Sequence, residues 1–329
     1  MMFSLTEAES LVAETLEKNR VSTENARSVA RALVTAEAAG QGGHGLRRIE
    51  AYSLQARAGK ADGFATPAFS TPRPSVLRVD AAFGFAYPAI DQTVPRLADM
   101  ARQQGIAIAA ISRSHHAGVL GLTVERFADE GLVALMVANA PASMAPWGGR
   151  KPLFGTNPIA FAAPVAGDDP LVIDMALSTV ARGKIMAAVQ KGDPIPPDWA
   201  FGPDGQPTTD AKAGLAGTMM PAGGAKGAAL AMMVEVLAAG LTGAQYSYQS
   251  SSLFDDKGAP PALGHTIIAI DPTATGGSLS HLSGLAQEIA ADEGARIPGR
   301  RGINNRRRAI ETGIDIPDDV MATITALQG

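Results

Sequence analysis

The chain has 329 residues, of which 46% are hydrophobic and 18% charged, with a formal net charge of −4. That composition excludes a largely disordered chain and supplies no general attraction for nucleic acid or an anionic membrane. Cysteine is absent, which rules out disulfides, thiolate nucleophiles and cysteine-ligated metal clusters.

The length is about twice that of a common domain, so two lobes sharing an interface are expected. A mean hydropathy of +0.07 leaves extra apolar surface to bury between lobes or subunits, which predicts a homo-oligomer. The first residues turn acidic at Glu7 and lack a basic region followed by an apolar one. No secretory leader is expected, and a cytoplasmic location is the default.

Thr6 and Glu9 have capping-box spacing ahead of Leu11, Val12 and Leu16, and Ala26, Val29, Ala30, Leu33 and Val34 mark a second helix that stops at Gly40. Next comes Gly42-Gly43-His44-Gly45-Leu46-Arg47-Arg48, which sets an imidazole and a guanidinium four residues apart. Such a pair can bind a carboxylate and move a proton. After Pro72 and Pro74 the texture changes, and a lobe boundary near residue 75 is expected. Residues 75–79 are strand-like, and Ile90, Val94, Leu97 and Ala101 recur at helical spacing up to Gly105.

Apolar runs at residues 106–111 and 132–137 flank Ser114-His115-His116-Ala117-Gly118 and a helical pattern ending at Gly131. They read as a strand–helix–strand unit with parallel strands. Residues 159–163, 171–175 and 266–270 are further strands whose continuous apolarity implies cover on both faces. In such sheets ligands collect beyond the carboxyl ends of the strands, where His115, His116, Asp174, Met175 and Ala176 would fall. The apolar stretch 227–244 is interrupted by Glu235 and does not read as a membrane span. From Leu279 the pattern is helical again, followed by a basic turn at residues 297–301 and a last helix near Val320 that packs back on the N-terminal lobe.

Neither a Gly-x-Gly-x-x-Gly fingerprint nor a phosphate-binding P-loop occurs, so any nucleotide site is built otherwise. Residues 154–158, 221–227 and 298–301 allow close backbone approach. Lys226 sits at the start of an apolar helix, where the helix dipole disfavours a cation unless an anion is bound. Arg300 and Arg301 read as a clamp for adenosine phosphates, and Arg306, Arg307 and Arg308 as a solvated helix face. His115 and His116 point to different faces as neighbours and no His-Glu-x-x-His occurs, so no metal is expected. The acidic pairs at 168–169, 255–256 and 318–319 read as turns, and His265 and His281 as structural. Gly-x-Ser-x-Gly is absent, which argues against a serine hydrolase.

Taken in order, His44-Gly45-Leu46 with Arg48, Ser114-His115-His116, the run 151–158, Asp174-Met175-Ala176, the run 205–210, Gly223-Gly224-Ala225-Lys226-Gly227 and Pro298-Gly299-Arg300-Arg301 resemble the type-2 malate/L-lactate dehydrogenase family. That family includes ureidoglycolate and sulfolactate dehydrogenases and Δ1-piperideine-2-carboxylate reductases. The resemblance spans nearly the whole chain. It implies an α/β protein with a non-Rossmann three-layer nucleotide-binding domain over residues 75–274, built on a mixed or parallel sheet. A helical substrate and dimerisation domain would combine residues 1–74 with 275–329, in a homodimer with the active site near the interface.

Carried over by position, the resemblance implies catalytic roles for His44 and His116, members differing over which is the acid/base. It implies substrate contacts from Arg48, Thr156, Leu177 and Ser178. The cofactor, NAD or NADP with a tilt toward NADP from the arginines, would meet His116, Ala117, Gly118, Val119, Leu120, Asp174, Met175, Ala176, Lys226, Pro298, Gly299, Arg300, Arg301, Gly302, Ile303 and Asn304. Two positions depart from the imino-acid reductases. Gly43 stands where a serine is common, and Lys184 lies where those reductases carry an acid that completes a relay to the histidine. The departures put hydride transfer to C2 of a small 2-oxo acid (malate-, lactate- or sulfolactate-like) ahead of a cyclic imino acid reductase. A metabolite-binding dimer without catalysis is the alternative of another class. The expected partners are a small carboxylate and a second copy of the chain, with no nucleic acid and no membrane.

Overall fold

The computed structural model describes all 329 residues. The chain opens with β1 (Met2–Phe3), α1 (Leu5–Lys18), α2 (Thr23–Ala38) and, after one 3-10 turn over Leu46–Arg48, α3 (Ile49–Ala58). The centre contains β2 (Ala68–Arg73), β3 (Val76–Asp80), α4 (Ala86–Gln104), β4 (Ile106–Ser114), α5 (Leu120–Asp129), β5 (Val133–Ala138), β6 (Ile159–Ala163) and β7 (Leu171–Met175). An excursion follows through α6 (Arg182–Lys191), β8 (Ala200–Phe201), α7 (Ala211–Ala216), β9 (Thr218–Met219) and α8 (Ala225–Glu235), which continues as a π-turn over Val236–Gly240. β10 (Leu263–Ile270) returns to the sheet, and α9 (Leu279–Ala291), α10 (Arg300–Thr312), β11 (Ile314–Asp315) and α11 (Asp318–Gln328) close the chain.

Both chain ends build one helical core. Leu16, Leu33, Ile49 and Tyr52 pack in a single apolar cluster with Ala309, Ile316, Val320 and Ile324, and β1 pairs antiparallel with β11. The capping box of α1 is formed by Ser4 and Glu7, not by Thr6 and Glu9: the Ser4 backbone N–H donates to the Glu7 carboxylate at 2.8 Å, and the Glu7 N–H to Ser4 Oγ at 3.3 Å. The helix therefore starts one residue before Thr6, which lies inside it.

The seven-stranded sheet has the order β2-β3-β4-β10-β5-β6-β7. β4 and β5 run in the same direction, yet they are not neighbours, because β10 lies between them and pairs antiparallel with both. Only β3 and β4 pair in parallel. The sheet is therefore mixed and mostly antiparallel: the expected strand–helix–strand unit β4–α5–β5 is present with its strands parallel in direction, but β10 separates them. Apolar cover on both faces makes a strand continuously hydrophobic whatever its direction, so the residue pattern could not choose. β2 is an edge strand of this sheet, although it precedes the boundary expected near residue 75, and an edge tolerates the missing N–H of Pro72. One face carries α4 and α5 over Leu77, Ile111, Met136 and Ile267. On the other face Val137 packs with Val234 and Ala238 of the α8 region, which completes three layers.

Alternating strand direction brings one set of chain segments to one end of the sheet. There β4, β5 and β7 finish at Ser114, Ala138 and Met175, while β6 and β10 begin at Ile159 and Leu263. The walls at this end are tied by a buried carboxylate. Glu235 accepts from the Ser247 N–H at 2.5 Å, from Ser247 Oγ at 2.6 Å and from Asn157 Nδ2 at 2.7 Å. Replacing Glu235 by Ala strands those buried donors and is expected to cost about 3 kcal/mol or more, read as a lowered midpoint in urea unfolding.

Candidate active site

At that end of the sheet, β4 hands over to a loop, residues 115–119, before α5 begins at Leu120. Gly118 has φ +64°, and a Cβ there would lie 2.5 Å from Tyr87 Oη, so this loop needs glycine. Facing it is the turn that carries His44. Glu37 fixes this turn by accepting from the Leu46 N–H at 2.9 Å, and a Cβ on Gly45 would collide with Glu37. His44, Arg48 and Tyr52 follow at four-residue spacing through the 3-10 turn into α3, which points successive members of the set toward one side.

The rings of His44 and His116 stack with centroids 5.2 Å apart and planes 25° from parallel. Tyr52 Oη lies 2.6 Å from His116 Nδ1 and 3.2 Å from Tyr87 Oη. Behind them, His115 Nε2 meets Gln55 Oε1 at 2.8 Å, and His265 Nε2 lies 3.0 Å from Ser114 Oγ. His115 and His265 thus brace the loop from within the core. Burial, reinforced by the Arg48 cation, pushes His44 down to about 4 and His116 well below the ordinary imidazole value. Both rings are neutral near pH 7. Burial is also the main cause that lowers His115 to about 3 and His265 to about 4. Arg48 donates Nε–H to the Gly43 carbonyl at 2.8 Å and lies over the Phe254 ring. Its terminal NH2 groups have no protein acceptor, so the bidentate edge is free for a carboxylate.

Two adjoining cavities meet at the histidines. The larger, about 390 Å³, is lined by His44, Arg48, His116, Ser143, Thr156, Ala176, Arg182, Ser247, Tyr248 and Phe254 among others. The smaller, about 220 Å³, continues from His44 and His116 over Ala117, Gly118, Val119 and Leu120 to Asp174, Met175 and Ala176. Asp174 accepts from the Gly121 N–H at 2.8 Å, and burial raises its carboxyl to about 6 against that hydrogen bond.

Both expected catalytic histidines, two of the four expected substrate contacts and eight of the expected cofactor contacts therefore share one cleft. Others stand apart. Leu177 packs into an apolar cluster, and Ser178 donates its hydroxyl to the Val180 carbonyl at 2.7 Å. Lys226 is exposed in the first turn of α8, outside both cavities. The segment Pro298, Gly299, Arg300, Arg301, Gly302, Ile303 and Asn304 docks beside β7, where the Pro298 carbonyl accepts from the Val172 N–H at 3.3 Å, and it lines neither cavity. Arg300 is not a free clamp: it forks onto Asp168 with two bonds of 2.6 Å and reaches Asp169 at 2.9 Å. Arg307 also pairs with Asp169, and Arg306 with Glu125. The acidic pair at 168–169 is thus an ion-pair anchor for α10 and not only a turn. Arg301 alone of the expected clamp is exposed and unpaired.

Sequence reasoning missed Tyr52, Ser143, Arg182 and the wall from Ser247 to Phe254. The four-residue spacing after Arg48 could have pointed to Tyr52. For Arg182 the signal was a cation in the first turn of a helix, the same anomaly that drew attention to Lys226. The serine wall carried no pattern of its own.

The cleft fits a nicotinamide dinucleotide in chemistry. Ala138, Pro158, Val119, Leu120 and Met175 supply an apolar floor beside the exposed backbone of the Gly118 loop, and two buried polar atoms on the cleft, His44 Nδ1 and Ser143 Oγ, have no protein partner. Such sites characteristically combine an apolar lining with a few convergent polar groups.

Comparison with known proteins identifies the family. The family model described as malate/L-lactate dehydrogenase matches residues 3–325. The chain is 49% identical over 326 residues to the (2R)-3-sulfolactate dehydrogenase (NADP(+)) of Chromohalobacter salexigens, covering 99% of this chain and 97% of that protein. It is 42% identical to the Δ1-pyrroline-2-carboxylate/Δ1-piperideine-2-carboxylate reductase of Pseudomonas putida, over 98% of this chain and 96% of that one. Among solved structures, the Δ1-piperideine-2-carboxylate reductase of Pseudomonas syringae superposes with a TM-score of 0.92 at 37% identity, with 99% of each chain covered. With a family model spanning nearly its whole length and relatives this similar from end to end, the chain belongs to the malate/L-lactate dehydrogenase family.

Proposed function

We propose that the protein is an NADP-dependent oxidoreductase that interconverts a small 2-oxo acid and the corresponding 2-hydroxy acid. The observation that carries this reading is the meeting of the free Arg48 fork, the stacked histidines and the Gly118 loop in one cleft. The NADP form rests on the name of the sulfolactate dehydrogenase relative and on the unpaired Arg301. Residues 68–274, which include the edge strand β2, hold the dinucleotide, and residues 1–67 with 275–329 supply the helical unit that brings in His44 and Arg48.

When bound along residues 116–120 and 174–176, the reduced nicotinamide supplies the hydride that reaches C2 of the substrate. Arg48 receives the C1 carboxylate bidentately and so fixes the position of C2. His116 gives its proton to the oxygen on C2, with Tyr52 holding Nδ1 and leaving Nε2 to exchange that proton. His44 stacks on His116 and limits water at the ring. In the reverse direction the neutral imidazole takes the hydroxyl proton. A carboxylate bound at Arg48 offsets the cation that depresses both histidines, so substrate binding itself raises their affinity for a proton.

The alternative is reduction of a cyclic imino acid, after the names of the two Pseudomonas relatives. Gly43 and the exposed Lys184 withhold the relay that this chemistry would use. A Cβ at Gly43 would meet nothing within 4 Å, so a serine would fit there and its absence is not imposed by packing. We also propose a homodimer in a soluble, cytoplasmic enzyme. No helix is long and apolar enough to cross a membrane, and Leu230, Met232, Met233, Val236 and Leu241 stand exposed along α8 and its continuation, an apolar face that a second copy would cover.

Reduced NADP or NAD should be oxidised on mixing the protein with one member of a panel of 2-oxo acids. In Arg48→Lys, kcat/KM should fall about 10- to 100-fold, because a point charge does not replace two charged hydrogen bonds worth about 1.5–3 kcal/mol; normal turnover by that variant would refute the carboxylate assignment. The pH profile has a definite sign. Reduction needs the imidazolium, so kcat/KM for the 2-oxo acid should keep rising as pH falls below 6.5. Oxidation needs the neutral ring, so it should stay level down to the same region. The kcat profile should turn at higher pH than the kcat/KM profile, since the bound carboxylate relieves the effect of Arg48. Sedimentation should give about twice the 33.8 kDa chain mass, and a monomer at micromolar concentration would remove the dimer.

A further inference from the structure

We infer that Lys60 is a positioning residue for substrate binding: its ammonium grips residues 255–257 and so keeps the neighbouring Phe254 ring against the Arg48 fork. The inference rests on the reading of Arg48 given above and adds the part that holds that side chain in place.

Lys60 is the only lysine or arginine wholly inside the protein, with 1% of its surface exposed. A cation persists in such a place only where partners replace its water. Its position is set locally: Gly59, left-handed at φ 75°, ends α3, and the Lys60 N–H then donates to the Gln55 carbonyl at 2.9 Å. The ammonium donates to the Asp255 carbonyl at 2.9 Å, the Lys257 carbonyl at 2.7 Å and the Asp255 carboxylate at 3.2 Å. An ammonium has three donors, so all of them go to this one short loop. Gln55 adds a further bond, from Nε2 to the same Asp255 carbonyl at 2.9 Å, while its Oε1 meets His115 Nε2 at 2.8 Å, beside His116.

The loop so gripped has little else to hold it. Residues 254–259 are exposed, and the remaining bonds stay within the loop, from Ser251 Oγ to the Ala259 carbonyl, from the Phe254 N–H to Ser252 Oγ and from the Lys257 N–H to the Asp255 carboxylate. Yet Ser252, Leu253 and Phe254 line the larger cavity together with Arg48. The Phe254 ring centre lies 4.9 Å from the Arg48 guanidinium carbon. The Gly43 carbonyl fixes Arg48 at Nε alone, so the plane of the fork is set by the ring stacked on it. A bidentate carboxylate contact depends on that plane. Two of the three acceptors of Lys60 are backbone carbonyls and Asp255 is half-exposed, so the ammonium fixes the path of the loop more than it forms an ion pair.

The test uses the full-length enzyme with reduced NADP and whichever of pyruvate, oxaloacetate and Δ1-piperideine-2-carboxylate it reduces fastest. Lys60→Met keeps a long apolar stem in the core and removes the three bonds, while the freed carbonyls, on an exposed loop, return to water. KM for the probe should rise about 10- to 100-fold, the scale set by a small misplacement of a binding group. The values of kcat and of KM for reduced NADP should move by less than about 3-fold, since they depend on groups remote from the loop. Asp255→Asn keeps an acceptor oxygen and should stay within about 3-fold of the wild type, because an exposed ion pair contributes little. Phe254→Ala should reproduce the rise in KM. The decisive comparison is made in the Arg48→Lys background: a residue that acts through the fork costs little once the fork is gone, so adding Lys60→Met there should change KM by less than about 3-fold.

The same factor lost in the wild-type and Arg48→Lys backgrounds, or a rise in KM for reduced NADP that matches the rise for the probe, would make Lys60 merely structural and overturn the inference. So would a Lys60→Met enzyme with the wild-type KM. Should that variant not fold, Phe254→Ala decides alone, since it alters a side chain that is 45% exposed: an unchanged KM there refutes the role of the loop. Failure of the broader reading looks different, because no probe would then oxidise the cofactor with the wild type.

Discussion

The placement of β10 between β4 and β5 is the constraint on which the site depends. Because β10 runs antiparallel to both neighbours, it must enter the sheet at the end where they leave it. The residues just before it, including Ser247, Tyr248 and Phe254, are therefore delivered opposite His116 and Ala140. β6 starts and β7 finishes at this end for the same reason, which adds Thr156 and Asp174. A sheet made wholly of parallel strands joined by helices would have presented only strand C-termini there. The antiparallel insertion lets five separate segments share one cleft, and Glu235 then joins two of them through Asn157 and Ser247.

The electrostatics of the cleft follow from what lines it. Four of the five histidines are held neutral chiefly by burial, and the larger cavity that two of them face holds cations and no carboxylate, the cleft's one acid, Asp174, lining the smaller cavity. The resting site is therefore short of negative charge. An anionic ligand brings the missing charge and alters the proton affinity of the groups that receive it. In the mechanism we propose, binding and proton transfer are linked through Arg48, without a dedicated acid residue acting as relay.

Much of this was readable from the residues, and the failures have physical reasons. α1, α2, α4, α5, α8 and α9, the strands at 106–111, 132–137, 159–163 and 171–175, and the pairing of His44 with Arg48 followed from local periodicity and spacing, whereas α3, α6 and α7 did not. The antiparallel directions of β6, β7 and β10 did not, because continuous apolarity reports burial on both faces and nothing about orientation. The arginine-rich segment was misjudged for a different reason: Asp168 lies 132 positions before Arg300, so no local pattern reveals that the clamp is already engaged. The first capping box was misplaced by two residues because Ser4 and Thr6 are each followed three positions later by a glutamate, and only the backbone geometry distinguishes them. The cavity wall of serines was silent, since serine in a loop is commonplace.

The same insertion shapes how the chain must acquire its structure. β4 and β5 are complete by residue 138, yet the strand that separates them does not emerge until residues 263–270. During synthesis from the N-terminus, two apolar strands therefore wait with unpaired edges while more than a hundred further residues are made. Open edges of this kind invite pairing with other chains, and the closing contacts span long stretches of sequence, which slows the search for them. The helical core faces a similar delay, because Leu16 and Leu33 wait for Val320 and Ile324. The architecture that gathers the cleft so compactly leaves the nascent polypeptide dependent on protection from its neighbours until almost the last residue has been added.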